Sequence, residues 1–172
     1  LPLLVGFSIT HSAVAQSAAR IAFSAPVTDR KGQTTYQIFA INPNGTGATQ
    51  LTRSGGAWPS WSSNQKYIAL ERAGTIYVMD AVKGEIKSGR TFPVVPASGT
   101  GHDWSPDDTA IVYTGTAAIG YGLWLVSATP APGAVGTPVL LRQGACWDPK
   151  FSPDGTKIAF WLGGGSVRVL DL

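Results

Sequence analysis

The stretch that decides the fold is the segment Phe151-Ser152-Pro153-Asp154-Gly155-Thr156-Lys157-Ile158-Ala159-Phe160. Pro153 suits the second position of a type I turn, and Gly155 supplies the left-handed residue that closes such a hairpin with a bulge. An aromatic residue precedes the turn, and an apolar run follows it. The segment therefore predicts two antiparallel strands joined by a tight turn.

The apolar run that follows this turn recurs along the chain. It begins at Ile158, and equivalent runs begin at Ile21, Ile68 and Ile111, at intervals of 47, 43 and 47 residues. Further short runs rich in β-branched and aromatic residues lie around each isoleucine, separated by turn formers, so that a full unit contains four predicted strands. The units cover residues 19–53, 57–96, 101–143 and 147–172.

This period predicts the blades of a β-propeller, because a four-stranded blade cannot bury both of its faces alone. The predicted fold class is all-β, a β-propeller of four-stranded antiparallel blades. The first and last units contain three predicted strands each, and the two middle units contain four. We therefore expect an incomplete arc of about 3.5 blades, which needs further chain or an oligomer to complete the propeller.

Three aromatic residues stand at matching positions before the turns, namely Trp61, Trp104 and Phe151. We expect them to pack between adjacent blades as core residues. Pro93 falls in a fourth, outermost strand, where a missing N–H is harmless. The single cysteine, Cys146, lies in an apolar context and is expected to be buried.

Composition and charge narrow the classes of partner. Hydrophobic residues make up 44% of the chain, which is enough to form a core, and charged residues make up 13%. The net charge is +3, but the lysines and arginines are scattered singly. No basic run could follow a phosphate backbone, so a nucleic-acid partner is not expected.

The first fifteen residues have the pattern of a signal peptide. An apolar stretch runs over residues 1–9, and Ala13-Val14-Ala15 forms a cleavage site before Gln16. The stretch is too short to span a bilayer, so we expect an exported protein, periplasmic or secreted, without a transmembrane span. The sequence begins at Leu1 without a methionine and stops at Leu172, and we expect it to be partial.

Candidate chemistry is sparse, and no catalytic residue, cofactor or metal site is predicted. No G-x-S-x-G elbow occurs, and Gly163-Gly164-Gly165 falls in a hairpin turn. The paired carboxylates Asp107 and Asp108 also fall in a turn. His102 and Asp103 lead into an innermost strand, so they could contact a ligand at the mouth of the central channel. A structural or hydrogen-bonding role is favoured for both.

Several of these segments resemble the repeat of TolB-type β-propellers: residues 37–45, 50–52, 104–107 and 151–160. The resemblance implies a non-enzymatic periplasmic scaffold that binds a protein or peptide. An alternative stays open, because the same repeat builds the propeller of prolyl-oligopeptidase-type serine peptidases. In that case a separate hydrolase domain, absent from this chain, would carry the nucleophile elbow. The sequence on either side of residues 1–172 would distinguish the two.

Overall fold

The computed structural model describes residues 20–85, 91–94, 99–117, 120–128 and 136–172. The signal-peptide prediction for residues 1–15 falls outside them. Within these ranges the strands form four separate sheets. No helix in the described ranges is both long and apolar enough to cross a membrane.

Each sheet is an antiparallel meander whose strands pair in sequence order. The first sheet contains β1 (Ile21–Thr28), β2 (Thr34–Ile41) and β3 (Thr49–Gln50). The second contains β4 (Ala57–Trp61), β5 (Tyr67–Arg72), β6 (Thr75–Asp80) and β7 (Phe92–Pro93). The third contains β8 (Gly99–Trp104), β9 (Ala110–Ala117), β10 (Gly120–Ser127) and β11 (Val139–Gln143). The fourth contains β12 (Cys146–Phe151), β13 (Lys157–Leu162) and β14 (Ser166–Asp171).

These sheets are successive blades, and they confirm the all-β propeller prediction. Strand β8 packs against both β4 and β12, so these three are the inner strands of blades two, three and four. Within the described ranges, the first blade begins at the strand equivalent to β5, and the fourth ends at the strand equivalent to β10. Pro93 lies in β7, at the outer edge of its sheet, as predicted.

The turn between the first two strands of a blade has the geometry predicted for residues 152–155, and the other two described copies share it, including the degraded copy at residues 62–65. Gly155 donates its N–H to the Ser152 carbonyl at 2.9 Å, and its φ is +73°. Asp108 and Gln65 occupy the same position with φ values of +62° and +59°. Asp tolerates this left-handed conformation better than most residues, so the turn survives without glycine.

Asp108 also ties one blade to the next. Its carboxylate accepts hydrogen bonds from the backbone N–H groups of Ser63, at 2.5 Å, and Asn64, at 2.9 Å. These two residues lie in the equivalent turn of blade two. Hydrogen bonds from backbone N–H groups to a carboxylate are stronger than neutral ones, so the turns of blades two and three are fixed against each other.

Buried side chains form three clusters, one at each junction between successive blades. The first joins blades one and two and contains Ile38, Ala40, Leu51, Ile68, Leu70, Met79 and Ala81. The second joins blades two and three and contains Ala69, Ile76, Val78, Val94, Trp104, Ile111, Tyr113, Trp124, Val126 and Ala128. The third joins blades three and four and contains Val112, Leu123, Cys146, Ile158 and Phe160.

The matched aromatics lie at these junctions, as predicted. Trp104 is a buried member of the second cluster, while Trp61 and Phe151 are partly buried against the first and third. Alternation along a strand explains the arrangement, because successive side chains point to opposite faces. Ile68 and Leu70 thus face blade one, whereas Ala69 faces blade three.

The far face of blade four is apolar and exposed. We call it the terminal face, and it consists of Trp147, Trp161, Val167 and Val169, which are 39%, 47%, 63% and 60% exposed. Trp147 and Val167 both pair with Trp161 across the sheet, so the patch is continuous. Among the described residues, no blade packs on this face in the way that successive blades pack on each other.

Candidate functional site: a cavity along the inner strands

All three inner strands contain the same irregularity. The pairing register shifts between Ala57 and Ser60, between Thr100 and His102, and between Trp147 and Lys150. The shift marks a β-bulge, which bends a strand and redirects its side chains.

The bulges place one residue of each inner strand in the left-handed region. These are Trp58, Gly101 and Asp148, with φ values of +53°, +47° and +48°. Their sequence intervals are 43 and 47 residues, so they are equivalent positions of the repeat. The left-handed region is costly for tryptophan in particular. Such strain persists where the surroundings enforce it, and it concentrates at functional sites.

A cavity of about 570 Å³ lies beside these bulges. We call it the channel cavity, because the inner strands of a propeller surround its central channel. Its lining comes from β4, β8 and β12, with one residue from β5. The side chains that matter for its chemistry are Trp58, Ser60, Glu71, His102, Asp148 and Lys150.

His102 is the most deeply buried polar residue of the channel cavity. It is only 5% exposed, and neither ring nitrogen forms a hydrogen bond. Burial, with a smaller contribution from the Lys150 ammonium, lowers the pKa of His102 to about 4. The Ala69 carbonyl opposes this in part without completing a hydrogen bond. The imidazole is therefore neutral at pH 7, with one nitrogen able to accept a hydrogen bond.

The side chain of Asp103, the other residue of the predicted pair, points to the opposite face of strand β8. Its carboxylate accepts a hydrogen bond from the Phe151 backbone N–H at 3.0 Å and lies 3.2 Å from the Lys150 ammonium. Both partners belong to blade four, whereas His102 faces Ala69 in blade two. The strand thus separates the pair: His102 lines the channel cavity, and Asp103 joins two blades.

Three further lining groups were not predicted from the sequence. The Ser60 hydroxyl is buried without a hydrogen-bond partner. Burial raises the pKa of the Glu71 carboxyl. The Trp58 ring is 71% exposed. The repeat alignment could have found Trp58 and Ser60, which occupy the positions of Gly101 and Asp103 one unit earlier. Glu71 comes from a second strand, and no sequence signal indicated it.

The channel cavity brings a serine, a histidine and an aspartate into one lining without hydrogen bonds between them. Ser60, His102 and Asp148 share the lining, but the Ser60 hydroxyl and both His102 nitrogens lack hydrogen bonds. A nucleophile and its base normally lie within about 2.6–3.2 Å of each other. No group of three histidine, cysteine or acidic residues in the described ranges is placed to hold a metal ion.

His102 gives the stability of the fold a pH dependence of definite sign. Its pKa falls from 6.5 in the unfolded chain to about 4 in the folded one, so between these values the unfolded chain binds more protons. The stability that goes with a neutral His102 is therefore fully present above pH 6.5, and it is lost as the pH falls toward 4. Between pH 7 and pH 4, we expect the free energy of unfolding of the unaltered chain to fall by about 3 kcal/mol more than that of the His102→Gln variant. Urea denaturation of both proteins across this range measures the difference, and parallel pH curves would contradict it.

Comparison with solved structures identifies the fold. A protein designated TolB from Agrobacterium tumefaciens matches with a TM-score of 0.65 and 20% identity, over 88% of this chain and 57% of that one. TolB from Acinetobacter baumannii matches with a TM-score of 0.60 and 18% identity, over 86% of this chain and 37% of that one. No family model and no curated protein sequence matches the chain.

These likenesses show that the fold is a β-propeller like that of the TolB structures, in agreement with the resemblance noted in the sequence. The chain spans little more than half of the first of these TolB structures and over a third of the second. A protein designated a 6-phosphogluconolactonase from Bacteroides fragilis also matches, with a TM-score of 0.55 and 14% identity, over 87% of this chain and 50% of that one. Structures named TolB and a structure named a lactonase thus share this fold, so function must be argued from the site.

Proposed function

We propose that the chain is an exported, non-enzymatic β-propeller scaffold that binds a peptide or protein segment in the channel cavity. The observation that carries the proposal is the exposed side chain of Trp58, which is held in the left-handed region beside the channel cavity. The TolB-like fold supports a scaffold role, and the signal-peptide pattern of residues 1–15 supports export.

The bulged inner strands favour a ligand that carries its own hydrogen-bonding groups. A bulge leaves one residue of a strand without its ladder partner, and each inner strand has a bulge beside the cavity. A peptide backbone presents one N–H and one C=O at almost every residue. The proposed ligand is therefore an extended peptide that bonds to backbone groups along the inner strands.

Trp58 supplies the apolar part of such a site. Tryptophan is enriched among the interface residues that contribute most binding energy, and here its ring is exposed beside the cavity instead of buried in a blade junction. Pro59 and Pro149 line the same cavity. Together they form an apolar surface beside the buried polar atoms.

A displayed library of random twelve-residue peptides, selected on the 172-residue chain, tests this function. We expect the selected peptides to lose at least tenfold in affinity for Trp58→Ala, because the variant removes an exposed anchor while keeping a side chain at the same backbone position. Isothermal titration calorimetry on synthetic copies of these peptides measures the change.

The matched control is Trp161→Ala, which deletes another half-exposed tryptophan on the terminal face, away from the cavity. Its affinity for the same peptides should match that of the unaltered chain. A library that yields no specific peptide would contradict the proposed function, as would peptides that bind both variants equally well.

A further inference from the structure

Each middle blade presents two different faces to its neighbours. In blade two, Ile68, Leu70 and Met79 point toward blade one and belong to the cluster at that junction. Ala69 and Val78 of the same sheet point toward blade three and belong to the next cluster. Within the described residues, every junction therefore joins the following face of one blade to the preceding face of the next.

The preceding face of blade one is apolar. We call it the initial face, and it consists of Ile21, Phe23, Phe39 and Ile41, which pair across β1 and β2. Ala22 packs against the cluster between blades one and two, so strand alternation turns these four side chains to the opposite side of the sheet. Phe23 and Phe39 stack with their ring centroids 5.5 Å apart. Ile21 is 52% exposed, and none of the four belongs to a junction cluster of the described chain.

The initial face and the terminal face are the two halves of a blade junction. Ile21 occupies the position of Ile68, which is fully buried against blade one. Val169 occupies the position of Val78, which is fully buried between blades two and three, yet Val169 is 60% exposed. The outer repeats of a soluble array normally carry a polar outer face. Here both outer blades of the described chain carry an apolar face of the kind that elsewhere binds another blade.

We propose that a second copy of this chain covers the terminal face with its own initial face, head to tail. Each copy carries both faces, so two copies make this contact twice and close a ring with twofold symmetry. Two copies of the four sheets give eight blades, within the usual range of about four to eight blades in a propeller. The inference does not depend on peptide binding in the channel cavity.

A contact between two terminal faces is the alternative that the internal junctions disfavour. It would join two faces of the same kind, whereas each junction within the described chain joins a following face to a preceding face. It would also leave the initial face of both copies exposed to water. The head-to-tail contact covers all four apolar faces of the two copies, and the inner strands of both copies then surround one channel.

Two variants that each block one face test this arrangement. Val169→Lys places a lysine in the terminal face, and Ile21→Lys places one in the initial face, where burial of an unpaired ammonium is costly. Size-exclusion chromatography with light scattering should give the unaltered chain twice the mass of 18.0 kDa. At the same concentration we expect each variant alone to be a monomer. The matched control Val139→Lys, on β11 and outside both faces, should keep the mass of two copies.

A one-to-one mixture of the two variants separates the head-to-tail contact from a symmetric one. Each variant keeps the face that the other has lost, so one contact forms between an intact initial face and an intact terminal face. We expect the mixture to regain twice the mass of 18.0 kDa. Its dissociation constant should be about a hundredfold higher than that of the unaltered chain, because one contact replaces two.

Three results would each overturn the head-to-tail contact: an Ile21→Lys protein that keeps the mass of two copies, a mixture that stays monomeric, and an unaltered chain that is itself a monomer. A mass that grows beyond two copies would overturn closure of the ring. Circular dichroism shows whether each variant folds. If Ile21→Lys does not, Ile21→Thr takes its place, since it keeps a β-branched side chain and should raise the dissociation constant about tenfold through lost apolar burial.

Discussion

Replacement of Trp104 by alanine is expected to lower the free energy of unfolding by about 3–5 kcal/mol, the usual cost of deleting a buried tryptophan. Trp104 is 4% exposed within the cluster between blades two and three. Its ring stacks on Tyr67 of blade two, with centroids 6.5 Å apart. Its indole N–H donates a hydrogen bond to the Ser60 carbonyl at 3.2 Å. The substitution thus removes packing and a hydrogen bond across one blade junction.

Urea denaturation followed by circular dichroism, at one fixed protein concentration, measures this loss. Tyr36→Ala is the control, since it deletes a 56% exposed aromatic side chain outside the terminal face and should change stability by less than about 1 kcal/mol. A Trp104→Ala protein as stable as the unaltered chain would show that the junction between blades two and three does not depend on this residue.

The 172-residue chain is expected to self-associate through the terminal face. Val167 and Val169 are 63% and 60% exposed beside Trp161, and soluble monomers rarely expose a continuous apolar patch of this kind. Within the described residues β14 is also an edge strand of its sheet, which adds free backbone groups to the same region. Size-exclusion chromatography with light scattering should report a mass well above 18.0 kDa.

A lysine in the patch should shift that equilibrium toward the monomer. We expect Val169→Lys to lower the measured mass, because a buried lysine at the contact would be unpaired. Val139→Lys is the matched control, since Val139 is 58% exposed on β11, outside the terminal face. A monodisperse monomer of the unaltered chain would mean that the chain covers the terminal face itself, as closure of the first blade onto the fourth would do.

The blades could be predicted because each repeat carries its own signals. Pro153 and Gly155 indicate the turn directly, and the isoleucine that follows fixes the next strand. The left-handed conformation of Asp108 follows from the repeat even though glycine is missing there. Gln65 adopts the same conformation in a copy, Ser62-Ser63-Asn64-Gln65, whose turn signal is degraded. The three blade junctions follow in turn from strand alternation, since one strand supplies apolar side chains to both neighbours.

The channel cavity could be predicted only in part, because its key feature has no common sequence signal. The bulge positions are occupied by Trp58, Gly101 and Asp148. Two of these precede proline, which ordinarily favours an extended conformation over a left-handed one. Strand alternation alone, in contrast, predicts that the neighbours His102 and Asp103 face opposite blades, because successive side chains of a strand point to opposite faces.

The three separate clusters at the blade junctions determine how local unfolding propagates through the molecule. Each cluster joins only blades that are neighbours in sequence, so the fold is a linear array of coupled units, unlike a globule with a single core. Blades two and three have two partners each, whereas, within the described residues, blades one and four have one. Local opening therefore costs least at the two ends and most in the middle. The inner strands of the central blades, which supply Trp58 and His102, lie in the part of the chain that opens last.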